Sequence, residues 1–255
     1  MAARNIKLVI RYDGSDFSGW QVQPNARTVQ GVLTEAVAKV VDHPVTLTGA
    51  SRTDAGVHAL GQVANFRTDS SVPLNNLWRG INSLVRPDIR VDQIEEVHAE
   101  FDSRHDAKRK TYRYTVAIDK FGDPLVRRMT WSIGRPLDID GMRKAAQVFV
   151  GTHDFTSFQA AGSNEHVSPV RTIERIDIVE SPPNPATGRS RTITIEVTGR
   201  GFLYKMVRNI VGTLAACGQG ILSEEQVRSI LDRRDRSLAS PTAPPEGLTL
   251  VNIEY

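Results

Sequence analysis

The spacing of apolar side chains switches repeatedly along the chain between the strand period of two and the helix period of about 3.6. Residues 5–13 (NIKLVIRYD) alternate apolar and polar side chains, which is typical of a strand with one buried face. Residues 28–41 (TVQGVLTEAVAKVV) place apolar side chains at helical spacing, with Thr28 as the expected N-cap and Pro44 as the residue that ends the helix. The pattern further predicts short strands at 45–49 and 61–66, a helix from Pro73 and a strand at 88–97. The predicted order is β-α-β-β-α-β.

The second half repeats this order of elements without visibly repeating the sequence. It predicts strands at 111–118, 171–179, 191–199 and 248–255, with helices around 142–149, at 202–216 and after the capping box SEEQ at 223–226. Two matching strings of elements predict an α+β protein made of two ferredoxin-like halves, each a split βαβ unit with an antiparallel sheet packed by helices. We expect an N-terminal half at 1–105, a C-terminal half at 106–255, and an active-site cleft between them.

Composition limits the setting in which such a chain works. Cys217 is the single cysteine among 255 residues, so no internal disulfide can form, which favours a reducing, cytoplasmic compartment. Charged or polar residues interrupt every apolar segment before it reaches the ~18 residues that a membrane-spanning helix requires. We therefore expect a soluble protein with no membrane partner.

Basic residues concentrate at 104–113 (RHDAKRKTYR), which holds five basic side chains, one acid and Tyr112. The whole chain carries a net charge of +3 and has a pI near 9.1. Such a cluster suits contact with phosphates beside base stacking. A strand edge kept basic to discourage aggregation is the simpler interpretation of this segment taken alone.

The loop between the second and third predicted strands contains Asp54, in the sequence GASRTDAGVHALG (49–61). Glycine permits unusual backbone angles and leaves room, so a carboxylate in this loop can approach a ligand closely. An aspartate that caps its own turn is the alternative, because most loop aspartates accept a hydrogen bond from a nearby backbone N–H. Position alone does not separate the two.

Residues 201–212 (GFLYKMVRNIVG) predict an amphipathic helix. Apolar side chains share one broad face, and Lys205 and Arg208, three residues apart, are expected to emerge together on the opposite face. Two cations on one face can meet an anion. Ordinary solubilising charges on a surface helix give the same pattern.

The sequence lacks the familiar metal and cofactor motifs. Its six histidines include no pair at H-x-x-x-H spacing, which argues against a zinc site. It has no G-x-x-x-x-G-K-[ST] phosphate loop, no dinucleotide-binding glycine fingerprint and no G-x-S-x-G elbow. A metal-dependent nuclease that uses Asp54, His58 and Asp69 is the alternative that retains a metal. A lone histidine four residues from Asp54 in a loop is more often a hydrogen-bonded structural residue than a metal ligand.

Several segments together resemble one known family. SRTDAGVHALGQVANF (51–66) is similar to the active-site signature of the TruA family of tRNA pseudouridine synthases, with Ser51 in place of the usual glycine. Further similar blocks follow in the family's order along nearly the full chain: YDGSDFSGWQVQ, TVQGVL, KRKTYRYTV, HDFTSFQ, GFLYKMVRNIVG and APPEGLTLVNIEY. Gln159 stands where many members carry arginine, which puts one RNA contact in doubt.

The resemblance implies roles for particular residues. Asp54 would be the catalytic aspartate, acting on the ribose C1′ or the 2′ proton of a flipped uridine, without metal or organic cofactor. Tyr112 would pack on the target base, and Arg208 would pair with Asp54 and keep it charged. Arg52 would enter the site as the nucleotide leaves the stack. Phosphate contacts would fall to Lys108, Arg109, Lys110 and Lys205.

The resemblance thus implies an isomerase that converts uridine to pseudouridine in the anticodon stem-loop of tRNA, at positions about 38–40. It also implies a homodimer that grips one tRNA with both subunits. The alternative from another class is a non-catalytic RNA-binding protein or chaperone, because split βαβ folds include modules that bind single-stranded RNA through exposed aromatics.

Overall fold

A computed structural model of the protein describes residues 4–160, 168–183 and 190–255. It is a mixed α+β protein whose strands pair mostly antiparallel. Its helices and strands, in chain order, are β1 (Arg4–Tyr12), α1 (Val29–Val41), β2 (Thr48–Gly49), β3 (His58–Thr68), α2 (Leu74–Leu84), β4 (Ile89–Val97), β5 (Arg109–Ile118), β6 (Trp131–Ile133), α3 (Ile139–Gln147), β7 (Gly151–Asp154), β8 (Val170–Ser181), β9 (Thr192–Gly199), α4 (Met206–Gly218), α5 (Glu224–Arg233) and β10 (Leu248–Glu254). The chain forms two compact units: unit 1 is Met1–Lys108 with Thr249–Tyr255, and unit 2 is Arg109–Leu248.

Unit 1 is built around β1 and β3. β1 lies between β4 and β3 and is antiparallel to both. The short β2 pairs with the far part of β3, where Thr48 faces Asn65. β10 joins the near part of β3 in parallel, with Thr249 opposite His58. The start of β3, directly after the Asp54 loop, is therefore held by the last strand of the sequence.

The strand and helix patterns predicted for unit 1 are largely confirmed. The side chains of Ile6, Leu8 and Ile10 are fully buried, and the Thr28 hydroxyl caps α1 by accepting a hydrogen bond from the Gly31 N–H. The helix ends at Val41, three residues before the predicted breaker, because Asp42 adopts a left-handed conformation with φ of 60°.

Asn5 departs from the predicted alternation, because it is buried whereas Lys7, Val9 and Arg11 on the same face of β1 are partly exposed or exposed. Its side-chain amide donates to the carbonyl oxygen of Phe101 at 2.9 Å, and its Oδ1 accepts from the Asn65 side chain at 3.0 Å. A buried amide is tolerated when its hydrogen bonds are made within the protein, so this residue ties β1 to β3 and to the segment after β4.

Unit 2 is built around β5 and β9. β5 pairs in parallel with the short β6 and antiparallel with β9, and β9, β8 and β7 continue as antiparallel neighbours. β8 and β9 form the predicted hairpin, although most of the loop predicted at 181–188 lies outside the described residues. So does most of the polar loop predicted at 159–169. Among the described ranges, no helix is long and apolar enough to cross a membrane.

Helix α4 differs from the amphipathic helix that the pattern predicts. It begins at Met206 rather than near Phe202, because Lys205 has a φ of 58° and starts the helix from a left-handed conformation. Every residue of α4 is buried, Arg208 included. The expectation that Lys205 and Arg208 emerge together on an exposed face is therefore wrong.

Candidate active site

Asp54 lies in a tight turn that leads directly into β3. Its carbonyl oxygen accepts a hydrogen bond from the Val57 N–H at 3.1 Å, which closes the turn over Ala55 and Gly56. Gly56 has a φ of 80°, a conformation that side chains other than glycine rarely adopt. Asp54 is partly exposed, and Arg52 in the same loop is exposed. Both predicted site residues of unit 1 therefore reach the surface from one loop.

Residues 13–20, here called the glycine segment, hold this turn through backbone contacts. The Gly56 N–H donates to the carbonyl oxygen of Phe17 at 3.3 Å, and the Trp20 N–H donates to that of Thr53 at 3.1 Å. A side chain at Gly19 would place its Cβ 2.7 Å from the Thr53 oxygen. The backbone of residue 19 can come this close to Thr53 only if residue 19 has no Cβ. The Asp54 turn therefore requires glycine at this position.

Side chains fix the loop on its other sides. The hydroxyl groups of Tyr12 and Thr53 lie 2.7 Å apart. The fully buried amide of Gln62 donates to the carbonyl oxygen of Ser51 at 2.6 Å and accepts from the Ser51 N–H at 3.2 Å. These contacts hold Ser51 and Thr53, on the N-terminal side of Asp54, to β3 and β1.

His58, the first residue of β3, is 1% exposed. Its Nδ1 lies 3.1 Å from the Gly14 nitrogen and 3.2 Å from the Asp13 Oδ1. Its Nε2 is buried and has no hydrogen-bond partner among the described residues. A side chain at Gly14 would place its Cβ 1.9 Å from the carbonyl oxygen of Val57, so the glycine segment contacts the chain beside this ring.

In unit 2, Tyr112 and Lys110 lie two residues apart on β5. Tyr112 is 5% exposed, and its ring meets Phe202 edge-on with 5.2 Å between the ring centres. Lys110 is partly exposed at the start of the strand, opposite Gly199. The tyrosine is therefore held against the segment that precedes α4.

Arg208 is 9% exposed, and its Nε donates to the carbonyl oxygen of Ala243 at 2.8 Å. The Ala243 N–H in turn donates to the Arg208 carbonyl oxygen at 3.2 Å. Burial raises the pKa of Tyr114 far above its ordinary value; the carboxylate of Glu246 adds to this rise, and the Arg208 guanidinium opposes it. Arg208 thus lies among buried groups of α4, β5 and the segment before β10.

Lys205 is partly exposed, and its Nζ lies over the exposed ring of Tyr204, 5.0 Å from the ring centre. The arrangement combines a cation with an aromatic face at the start of α4. Of the four predicted site residues in unit 2, Lys110 and Lys205 reach the surface, whereas Tyr112 and Arg208 are buried.

The basic cluster at 104–113 is partly neutralised within the protein. Arg109 lies 3.1 Å from the Glu174 carboxylate, and Arg113 lies 2.7 Å from that of Glu196. Lys108 is exposed. In the described parts of the chain, no group of three or more His, Cys, Asp or Glu side chains is arranged to hold a metal ion.

The residues that support the Asp54 loop were not predicted from the sequence. The two glycines of YDGSDFSGW were a usable signal, because glycines at 14 and 19 on either side of aromatic residues indicate close backbone contacts. For His58 the sequence favours a hydrogen-bonded structural residue over a metal ligand, but it does not identify the partner. Its contact with Gly14 joins residues 44 positions apart, which no local pattern reveals.

Comparison with known proteins gives a consistent result. The sequence profile of a family described as tRNA pseudouridine synthase matches residues 8–106 and 145–255. A protein of Thermoanaerobacter sp. (strain X514) named tRNA pseudouridine synthase A is 46% identical over 252 residues, which cover 99% of this chain and 100% of the relative. A protein of the same name from Geobacter sp. (strain M21) is 45% identical over 253 residues, 99% of each chain.

Among solved structures, a chain of an archaeal box H/ACA sRNP Nop10–Cbf5 complex aligns with 92% of this chain and 60% of its own length. Its TM-score is 0.36 at 9% identity, a likeness too low to carry an argument. The profile match and the full-length relatives show that this chain belongs to the tRNA pseudouridine synthase family.

Proposed function

We propose that this protein is a tRNA pseudouridine synthase that isomerises uridine in the anticodon stem-loop, at positions about 38–40, with Asp54 as the catalytic residue. The observation that carries the proposal is similarity over 99% of the chain to relatives named tRNA pseudouridine synthase A. The build of the Asp54 loop supports the assignment of the catalytic residue, because two neighbouring segments hold the backbone on both sides of this one carboxylate.

The reaction requires a group that acts on the sugar. The bond between ribose C1′ and uracil N1 breaks, the base turns, and C5 of the base bonds to C1′. C5 then loses its proton and N1 gains one, so that substrate and product have the same composition. A carboxylate can assist by adding to C1′ or by removing the 2′ proton. A fixed backbone keeps such a group within reach of the sugar of a flipped nucleotide, and the turn at Asp54 provides it.

The other predicted site residues are proposed as substrate contacts: Tyr112, Arg52, Arg208, Lys205 and Lys110. An aromatic ring suits stacking on a base, and exposed cations suit phosphates. The surface positions of Arg52, Lys110 and Lys205 support their part of the proposal. No cofactor or metal is included.

The proposal also includes an architecture of two ferredoxin-like halves, 1–105 and 106–255, in a cytoplasmic homodimer. Its support is the order of elements in unit 1, β1-α1-β2-β3-α2-β4, with neighbouring strands in the order β4-β1-β3-β2. In unit 2 the antiparallel run β5-β9-β8, with α3 between β5 and β8 in sequence, follows the same plan.

The experiment incubates the purified protein with unmodified tRNA and maps pseudouridine at every uridine by chemical labelling. Wild-type protein is expected to modify the anticodon stem-loop, in the presence of EDTA and with the RNA left intact. Asp54→Asn and Asp54→Ala should bind tRNA and form no pseudouridine, whereas Asp69→Asn, a change at an exposed carboxylate, should keep full activity.

Wild-type protein that binds tRNA and forms no pseudouridine would support the RNA chaperone instead. Product formed by both Asp54 variants would remove Asp54 from the catalytic role. Cleaved RNA, or activity abolished by EDTA, would support the nuclease alternative. Product only outside the anticodon stem-loop would contradict the proposed positions.

A further inference from the structure

The imidazole of His58 is the feature of unit 1 that the proposed reaction leaves unexplained. It is among the most deeply buried polar side chains of the unit, and it begins the strand that follows the Asp54 turn. Two polar groups face its Nδ1, and its Nε2 has no hydrogen-bond partner among the described residues.

The hydrogen bonds determine where the proton of the ring lies. A backbone N–H is always a donor, and the Gly14 N–H points at Nδ1 from 3.1 Å, so Nδ1 must accept. The neutral ring then carries its hydrogen on Nε2. The Asp13 carboxylate, 3.2 Å from Nδ1, does not require the ring as a donor, because its Oδ1 accepts from the Ser15 N–H at 2.9 Å and the Ser15 hydroxyl at 2.6 Å.

This arrangement is unfavourable at Nε2. A buried N–H without an acceptor loses its hydrogen bonds to water and gains none in the protein. An apolar side chain of similar size at position 58 would avoid that loss. The benefit of histidine must therefore come from Nδ1, which is the acceptor for Gly14.

Gly14 connects this ring to the catalytic loop. A Cβ at Gly14 would lie 1.9 Å from the carbonyl oxygen of Val57, so Gly14 packs against the closing residue of the Asp54 turn. Three residues later, Phe17 accepts from the Gly56 N–H of the same turn. The acceptor on His58 therefore fixes the start of the glycine segment, and the glycine segment fixes the turn.

We propose that His58 is a positioning residue for the reaction: its Nδ1 holds the Asp13–Gly14 corner against the start of β3 and thereby sets the orientation of the Asp54 carboxylate. It acts through the backbone and does not touch the substrate. The inference rests on the proposed function, because it assigns His58 a part in the reaction ascribed to Asp54.

The test compares three substitutions that differ in where they place an acceptor. Asparagine carries its amide oxygen at the δ position, two bonds from Cβ as Nδ1 is, so His58→Asn can still accept from Gly14. Glutamine carries its oxygen one bond farther, and leucine has none. Steady-state kcat and KM are measured on unmodified tRNA, together with the Kd for tRNA and the thermal unfolding temperature.

We expect His58→Asn to keep kcat within about threefold of wild type. His58→Leu and His58→Gln should lower kcat by about tenfold or more, because small displacements of a catalytic group cost rate steeply. KM and Kd should change by less than about twofold in all three. Ile81→Ala, which empties part of the core of unit 1 at a fully buried position in α2, should lower the unfolding temperature and leave kcat unchanged.

Unchanged kcat in His58→Leu would overturn the inference, as would equal losses in the Asn, Gln and Leu variants or a loss that appears in Kd rather than in kcat. If His58→Leu does not fold, the Asn and Gln pair decides by the same criterion. The proposed function fails separately, when wild-type protein forms no pseudouridine or when Asp54→Asn remains active in the same assay.

Discussion

At the scale of single residues, the conformation of the Asp54 loop depends on glycines that lie outside it. Gly19 has a φ of 93°, and a Cβ there would come within 2.7 Å of the Thr53 carbonyl oxygen and 3.2 Å of the Asp54 carbonyl carbon. Gly220 has a comparable φ of 73°, but a Cβ there would meet no atom within 4 Å. Both positions require a positive φ, but only a side chain at position 19 would collide with neighbouring backbone atoms.

Gly19→Ala is therefore expected to be more harmful than Gly220→Ala. Each substitution should lower the free energy of unfolding by about 1 kcal/mol, because alanine is strained in a left-handed conformation. Gly19→Ala must in addition displace the backbone at Thr53 and Asp54, so we expect a lower unfolding temperature and a loss of pseudouridine formation. Thermal unfolding and the chemical-labelling assay check both variants, and equal activity in the two would contradict the role assigned to this contact.

The sequence was sufficient to identify Asp54 as a candidate, because an aspartate between glycines in a strand-connecting loop is visible locally. It was insufficient for Arg208, which was expected on an exposed helix face and is buried with its Nε bonded to Ala243. That hydrogen bond spans 35 residues. Burial by a segment so distant is a property of the tertiary structure, and helical spacing carries no information about it.

At the scale of elements, prediction succeeded where one face of an element meets the core. The alternation of β1 after Asn5, the N-cap of α1 and the capping box of α5 at Ser223 and Gln226 were all predicted from local pattern and are confirmed. The short β6 and β7 were missed, because three or four residues are too few to show a period. The prediction that α4 has an exposed polar face is wrong, because the helix is buried on every side. A helical wheel does not show which polar residues other parts of the chain will bury.

The glycine in the middle of α4 gives a test of this burial. A Cβ at Gly212 would lie 2.1 Å from the carbonyl oxygen of Pro241, in the segment that also binds Arg208. Helix propensity alone predicts that Gly212→Ala stabilises the protein by about 1 kcal/mol. The contact predicts the opposite sign, a destabilisation of about 1–3 kcal/mol from overpacking. Denaturant unfolding measures whether the free energy of unfolding rises or falls in Gly212→Ala. A stabilised variant would show that the segment at Pro241 moves aside at little cost.

At the scale of the whole molecule, unit 1 is assembled from two distant parts of the sequence. β10 pairs with the first residues of β3, and the Lys108 N–H donates to the Glu254 carbonyl oxygen at 2.8 Å. The Tyr255 hydroxyl donates to the carbonyl oxygen of Ser103 at 2.8 Å. A Cβ at Gly61 in β3 would lie 2.5 Å from the carbonyl oxygen of Val251 in β10. The close approach of these two strands therefore requires glycine at position 61.

Deletion of residues 249–255 is expected to destabilise unit 1 selectively and to abolish activity, because β3 loses its partner beside His58. Amide hydrogen exchange should accelerate in β3 and remain slow in β8 and β9 of unit 2. Tyr255→Phe serves as the control, since it removes one hydroxyl hydrogen bond and should cost only about 1 kcal/mol. Unchanged protection of β3 in the truncated protein would show that β10 is dispensable for the fold of unit 1.

The return of β10 to β3 also bears on how the protein is made. A nascent chain that has released residues 1–108 from the ribosome still lacks the strand that borders the start of β3, and it acquires that strand only after all of unit 2 has been translated. Products that terminate before residue 249 would therefore lack the strand that pairs with His58 and Ala59 at the start of β3, directly after the Asp54 loop.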